Sequence, residues 1–204
     1  AEEIVPTRVL STNGVPEVFV VNTPFPPDDR SVGYERGTAI SQEWHDATTS
    51  AAIEVANSLS RDINRFAKTK DDDGDRREKV ISFCRQFVER AFRQPLSDEE
   101  TEFYINRQFE DGRPIQESVK RVVILALKSP RFLYRELGVG EFDQYAVASW
   151  LSFTLWDSLP DQNLLTAASK GQLASEDQIR RQAERMVNDP RAKAKLREFF
   201  QQWL

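Results

Sequence analysis

Side chains that could do chemistry on their own are few in this 204-residue sequence, which holds one histidine and one cysteine. The histidine, His45, follows Trp44 near the edge of an apolar helical stripe. Neutral imidazole is a usual ligand of metals and haem, so His45 is a candidate ligand for a group supplied by another domain. No local cluster of cysteine, histidine or acidic residues accompanies it, which favours a plain position at the helix surface.

The single thiol, Cys84, would act as a nucleophile only if a base such as His45 generated its thiolate. Cys84 shares an apolar stripe with Val80, Phe87 and Val88. A free cysteine in that setting behaves as a small buried hydrophobic residue, and burial raises the pKa of its thiol. The sequence therefore predicts a structural cysteine without reactivity. It contains no Cys-x-x-Cys-His, so it cannot attach haem c covalently.

Two arginines and one tryptophan are candidate binding residues. Arg131 and Arg135 lie four residues apart after Ser129-Pro130, so a helix would place both beside its N-terminus, where an anion can bind. Pairing with acidic residues of the chain is the commoner use of such guanidinium groups. Trp150 departs from the core spacing of the other three tryptophans, which makes it a candidate platform for stacking on a sugar.

An acidic run between Lys68 and Lys79 reads KTKDDDGDRREK. If Gly74 held the sixth place of a calcium-binding EF-hand loop, Thr69 and Val80 would hold the first and twelfth places, and neither is a suitable ligand. Opposite charges around one glycine, with no apolar residue, instead predict a solvated, mobile loop.

Composition excludes several classes of protein. With 39% hydrophobic residues the chain can bury a core, so wholesale disorder is excluded. A net charge of −5 provides no overall attraction to nucleic acid. The longest apolar run, Val122 to Leu127, is far too short to span a membrane. The sequence has neither an initiator methionine nor a signal peptide, which indicates a mature form or an excised piece.

The order of elements predicts a mainly α fold with a small β-hairpin annex. Two segments rich in β-branched residues flank Asn13-Gly14, a dipeptide that is typical of a hairpin turn. A proline-rich strap, Thr23 to Asp29, follows them. From Ser41 onward apolar residues recur every three or four positions, and this period predicts about eight helices in a bundle. We expect three parts: residues 1–40 as the hairpin and strap at the tail of a preceding domain, 41–137 as a first helical subdomain, and 138–204 as a second packed on the first.

The last two predicted helices are basic. From Gln178 to Glu198 the sequence has seven basic and three acidic residues. Their helical spacing predicts that the apolar residues of the final helix point inward, and these are Ala192, Leu196, Phe199, Phe200 and Trp203. The basic face is then a solvated surface or a docking surface for a neighbouring domain, because a nucleic-acid groove would need exposed aromatic residues between the charges.

Four segments of this chain resemble consecutive domains of unknown function. Such domains are found in large exported planctomycete proteins that are associated with cytochrome c. In order, the segments are FCRQFVERAFRQPLSDEE, LKSPRFLYRE, LSFTLWDSLPDQNLL and MVNDPRAKAKLREFFQQWL. The segment FPPDDRSVGYERGTAIS is similar to the tail of the domain that precedes them. The resemblance covers about Phe25 to Leu204.

This resemblance implies an extracytoplasmic location, in the periplasm or cell envelope, and haem c in flanking domains of a longer polypeptide. It carries over no catalytic residue, so we expect no cofactor, metal site or catalytic site within this chain. The predicted function is a non-catalytic helical scaffold or interaction module whose partners are the flanking domains.

A second function remains open, in which the chain is the substrate-binding or catalytic part of an oxidative enzyme acting on polysaccharide or another polymer. A cleft lined by groups such as His45, Arg131, Arg135 and acidic residues would favour that function. A redox partner or a polysaccharide would then be the additional partner.

Overall fold

The computed structural model of the protein describes residues 8–10, 16–18, 21–26, 41–110, 112–134 and 143–203. These residues are mainly helical, so the predicted mainly α fold is confirmed. The described part contains ten α-helices, against the eight predicted, and a short 3-10 helix at Asn106–Gln108. The helices are α1 (Gln42–Arg61), α2 (Ile63–Phe66), α3 (Arg76–Phe92), α4 (Asp98–Tyr104), α5 (Ile115–Lys128), α6 (Pro130–Leu133), α7 (Gln144–Trp156), α8 (Gln162–Ser169), α9 (Glu176–Val187) and α10 (Pro190–Trp203).

Two three-residue strands precede the helices. Strand β1 (Arg8–Leu10) pairs with β2 (Pro16–Val18) in antiparallel orientation, and Val9 lies opposite Glu17. The turn predicted at Asn13-Gly14 lies outside the described residues, so the hairpin annex as a whole stays a prediction.

Among the serine N-cap patterns of the sequence, those at Ser41, Ser97 and Ser175 are confirmed by side-chain caps, and the one at Ser158 is not. The Ser41 side chain accepts a hydrogen bond from the Trp44 backbone N–H at the start of α1. Ser97 and Ser175 form the reciprocal capping boxes that their sequences predict. One start is different, because Asp161 and not Ser158 caps α8. A carboxylate is the stronger acceptor there and complements the positive end of the helix dipole.

The chain divides into two compact units, the first made of residues 1–88 and 96–129 and the second of residues 89–95 and 130–204. In unit 1 the buried face of α1, which consists mainly of small residues, packs along α5. On α5, Val119, Val122 and Val123 are fully buried. Alanines on α1 allow the two helix axes to approach closely. They are Ala47, Ala51, Ala52 and Ala56.

Apolar residues recur at helical spacing from Trp44 to Phe66, which predicts one unbroken helix over that range. In the structure α1 is shorter than this. It ends at Arg61, and α2 follows one residue later. The acidic segment beyond it is held by hydrogen bonds: Asp73 accepts from the Thr69 hydroxyl and the Lys70 backbone N–H at 2.9 and 3.0 Å. Its carboxylates therefore organise a loop that leads into α3.

The core of unit 2 forms where α7 packs against α8, α9 and α10. Its larger buried side chains are Leu151, Trp156, Leu164, Leu173 and Met186. Lys195 on α10 donates to the Phe153 carbonyl at 2.5 Å, which attaches α10 to the last turn of α7. A cation at that end of α7 complements the helix dipole.

Candidate functional site

A proline-rich strap is fixed on α1 in unit 1 by one carboxylate. The Asn22 and Thr23 backbone N–H groups, the Asn22 amide and the Thr23 hydroxyl all donate to Glu54 at 2.8 to 3.1 Å. The backbone N–H of Asn22 is the largest cause of a lowered Glu54 pKa. The strap thus sits at a defined position along α1, an anchor that periodicity in the sequence did not reveal.

Between the strap and the start of α1 lies an open groove of about 480 Å³, which we call the strap groove. Its walls are Thr23, Pro24, Phe25 and Pro26 on one side and Glu43, Asp46, Ala47 and Ser50 on the other. The Phe25 ring packs on Trp44 with ring centroids 5.5 Å apart, and both side chains remain exposed. The strap groove therefore combines apolar area with two exposed carboxylates.

In unit 2 two arginines flank the indole ring of Trp156. The guanidinium carbon of Arg191 lies 3.6 Å from the ring centroid and that of Arg185 lies 5.5 Å from it. The indole N–H donates to the Met186 carbonyl at 2.9 Å. Cation–π attraction strengthens when the partners are desolvated, so this buried ring holds the ends of α7, α9 and α10 together.

Each of these arginines also has a carboxylate partner. Arg185 donates to both oxygens of Asp161 at 2.7 and 3.2 Å. Arg191 binds Asp189 at 2.9 and 2.8 Å, and this side-chain hydrogen bond is the main reason why the pKa of Asp189 falls to about 2. Both guanidinium groups therefore form ion pairs within the chain. We call the cluster of Trp156, Arg185, Arg191 and their two carboxylates the Trp156 clamp. Both of its cations are paired, so it offers no free cation to a ligand.

The final helix presents an exposed apolar face, which corrects the sequence-based prediction. Leu196, Phe199 and Phe200 were expected to point inward, yet they are 55%, 53% and 47% exposed. The side chain of Trp203 lies outside the described residues. The contacts of Ala192 with the core and of Lys195 with α7 fix the rotation of α10, and this rotation leaves the row formed by Leu196 and Phe200 facing solvent.

Two cations border this row. Lys193 and Arg197 are one turn apart on α10 and lie beside Leu196 and Phe200 in the helical register. Both are exposed, and neither forms a hydrogen bond or ion pair with a described residue. Four of the five other basic residues of α9 and α10 are paired with described carboxylates, including Arg180 with Glu176. We call Leu196, Phe199, Phe200, Lys193 and Arg197 together the α10 face.

Two family models match the chain. Residues 79–136 match PSD5, a protein of unknown function (DUF1595), and residues 142–204 match PSD4, a protein of unknown function (DUF1592). Each covers less than half of the 204 residues, and neither description states an activity. No curated protein and no solved structure matches the chain.

These matches confirm the predicted resemblance to consecutive domains of unknown function for the two segments concerned. The planctomycete origin, the association with cytochrome c and the export stay predictions. The Trp156 clamp and the α10 face both belong to the segment that matches PSD4. The strap groove precedes both matched segments.

The candidate residues chosen from the sequence are distributed over the two units, and one of them is outside the described residues. His45 is exposed in the first turns of α1, and its backbone carbonyl accepts hydrogen bonds from Lys128 at 3.3 Å and Thr49 at 2.8 Å. Trp150 is 53% exposed on α7 in unit 2. Arg131 is half-buried, with its guanidinium carbon 5.9 Å from the centre of the Phe92 ring. Arg135 lies outside the described residues, so the proposed arginine pair stays a prediction.

Sequence reasoning missed Arg93, a nearly buried arginine at the C-terminus of α3. Arg93 has a left-handed φ of 65° and donates to the backbone carbonyls of Arg131 at 2.6 Å and Tyr134 at 3.1 Å. Burial lowers the pKa of its guanidinium. Helix α6 leaves its last carbonyls without intrahelical partners, and Arg93 satisfies them. No spacing rule pairs residue 93 with residues 131 to 134, so only the fold reveals this cap.

Metal and membrane functions receive no support from the described part of the chain. It contains no group of three histidine, cysteine, aspartate or glutamate residues placed to hold a metal ion. Among its helices, none is long and apolar enough to cross a membrane.

Cys84 is 1% exposed, and burial raises the pKa of its thiol to about 12. We expect an aromatic disulfide reagent at pH 8 to label the folded chain at least about a hundredfold more slowly than the chain in urea, because both access and thiolate are lacking. Stopped-flow absorbance measures this, and the urea-unfolded chain is the control. Equal rates would show that Cys84 is accessible.

Proposed function

We propose that this chain is a non-catalytic helical module that binds another protein through the α10 face, as one part of a larger exported polypeptide that carries haem c in flanking domains. The observation that carries the proposal is the combination, on one helix, of three large exposed apolar side chains with two exposed cations that pair with no described residue. Exposed apolar residues that cluster on one face are typical of protein interaction sites.

The charges of the α10 face specify the partner's chemistry. Lys193 and Arg197 would repel a basic surface and attract one that carries carboxylates around an apolar centre. The partner is therefore an acidic surface with an apolar core. Nucleic acid is disfavoured, since the chain has a net charge of −5 and the other cations near α10 are held by Asp157, Asp161 and Asp189.

The reactive groups of the chain support a non-catalytic role. The thiol of Cys84 is buried and its pKa is raised, while Arg185 and Arg191 are neutralised by carboxylates. The sequence resemblance supports the proposed extracytoplasmic location of the chain beside haem-bearing domains.

The proposal is tested with two synthetic amphipathic helical peptides that differ in one feature. Both have a leucine stripe, flanked by glutamates in one peptide and by lysines in the other. We expect the glutamate peptide to bind the chain saturably in fluorescence anisotropy. Replacement of Leu196 and Phe200 by alanine should weaken binding by about tenfold or more, because buried apolar anchors carry most of the energy of such contacts.

The control is Leu159→Ala, which removes an exposed apolar side chain of unit 2 outside α10 and should leave binding unchanged. Circular dichroism confirms that each variant is folded. Equal binding of both peptides, or unchanged binding to the Leu196→Ala/Phe200→Ala variant, would contradict the proposal.

A further inference from the structure

The strap groove carries two acidic side chains and the α10 face carries two basic ones, and both surfaces also expose apolar side chains. In the strap groove, Glu43 and Asp46 are exposed one turn apart beside Phe25, and neither carboxylate forms a hydrogen bond or ion pair with a described residue. On the α10 face, Lys193 and Arg197 are likewise exposed one turn apart beside Leu196 and Phe200. Two carboxylates three residues apart thus face two cations four residues apart, so each pair lies about one helical turn apart.

We propose that the chain self-associates head to tail, with the α10 face of one copy seated in the strap groove of a second copy. This inference rests on the proposed function of the α10 face and names its acidic partner. A helix that lays an apolar face into a groove is a common mode of protein recognition, and the matched charges set its orientation. Phe25, whose ring packs on Trp44, supplies the aromatic wall of the groove against which Leu196 and Phe200 would pack.

Symmetric pairing is disfavoured by the same charges. Two α10 faces would bring Lys193 and Arg197 against their own copies, and two strap grooves would bring Glu43 and Asp46 together. Like charges that face each other across an interface oppose association. A head-to-tail contact leaves one groove and one α10 face unused in a dimer, so further copies can add to it, in an open chain or in a closed ring.

The contact involves one helical face and one open groove, which places it among small, transient interfaces. We therefore expect weak association that grows with protein concentration. It should weaken as salt increases, because exposed charges are screened.

Sedimentation equilibrium of the whole chain at low salt provides the test. We expect the average mass to rise past that of a dimer as concentration increases. Reversal of the groove charges in Glu43→Lys/Asp46→Lys should weaken association by about tenfold or more. Reversal on α10 in Lys193→Glu/Arg197→Glu should do the same. The variant that carries all four substitutions, the four-residue exchange, again has opposite charges on the two surfaces. It should therefore recover the association that each double variant loses.

A matched control is Asp72→Lys/Glu117→Lys, which makes the same change in net charge at two exposed positions outside both surfaces and should associate like the parent. A chain that is monomeric at every concentration, or a four-residue exchange that fails to restore association, overturns the inference. If the chain is monomeric while the glutamate peptide still binds the α10 face, self-association fails and the proposed function stands.

Discussion

Replacement of Trp156 by alanine is expected to lower the free energy of unfolding of unit 2 by about 3–5 kcal/mol, the usual cost of removing a buried tryptophan. Trp156 is 4% exposed, and its ring lies against the guanidinium groups of Arg185 and Arg191. The substitution leaves a cavity and removes the donor to the Met186 carbonyl. It also removes the ring that both cations share.

Urea denaturation followed by circular dichroism measures this loss as a shift in the midpoint of unfolding. Trp150→Ala is the matched control, since it removes the same side chain from an exposed position on the same helix. We expect the control to change stability by no more than about 0.5 kcal/mol. Similar losses for the two variants would show that the clamp around Trp156 contributes little.

The second large effect is expected at Arg93. Its replacement by alanine should cost about 2–3 kcal/mol, because the carbonyls of Arg131 and Tyr134 lose a charged donor in a buried setting. Arg93→Gly should be less destabilising than Arg93→Ala, since glycine adopts the left-handed φ of this position without strain. Both variants lose the hydrogen bonds, so the difference between them isolates the backbone contribution.

Thermal unfolding with circular dichroism gives the three free energies to be compared. Arg90→Ala, at an exposed position one turn earlier on α3, serves as the control and should change stability by less than about 0.5 kcal/mol. If Arg93→Ala is no more destabilising than Arg90→Ala, then Arg93 does not cap α6 in a way that matters for stability.

Local patterns were sufficient for several helix starts. Ser41, Ser97 and Ser175 stand at positions whose sequence is typical of N-caps and the structure confirms each one, because capping uses atoms within three residues of one another. The burial of Cys84 was also predictable from its stripe. The domain boundaries at residues 40 and 137, and the binding roles of His45, Arg131, Arg135 and Trp150, stay predictions.

The amino-acid sequence by itself determined that this chain is mainly α and where several helices begin, since periodicity and N-caps are local properties of the chain. Only the tertiary structure decided which side of α10 is buried. Its spacing fits an inward Leu196 and Phe200 equally well, but the contacts of Ala192 and Lys195 turn that row outward. The rotation of a helix about its own axis depends on its neighbours, and those contacts join residues far apart in the chain.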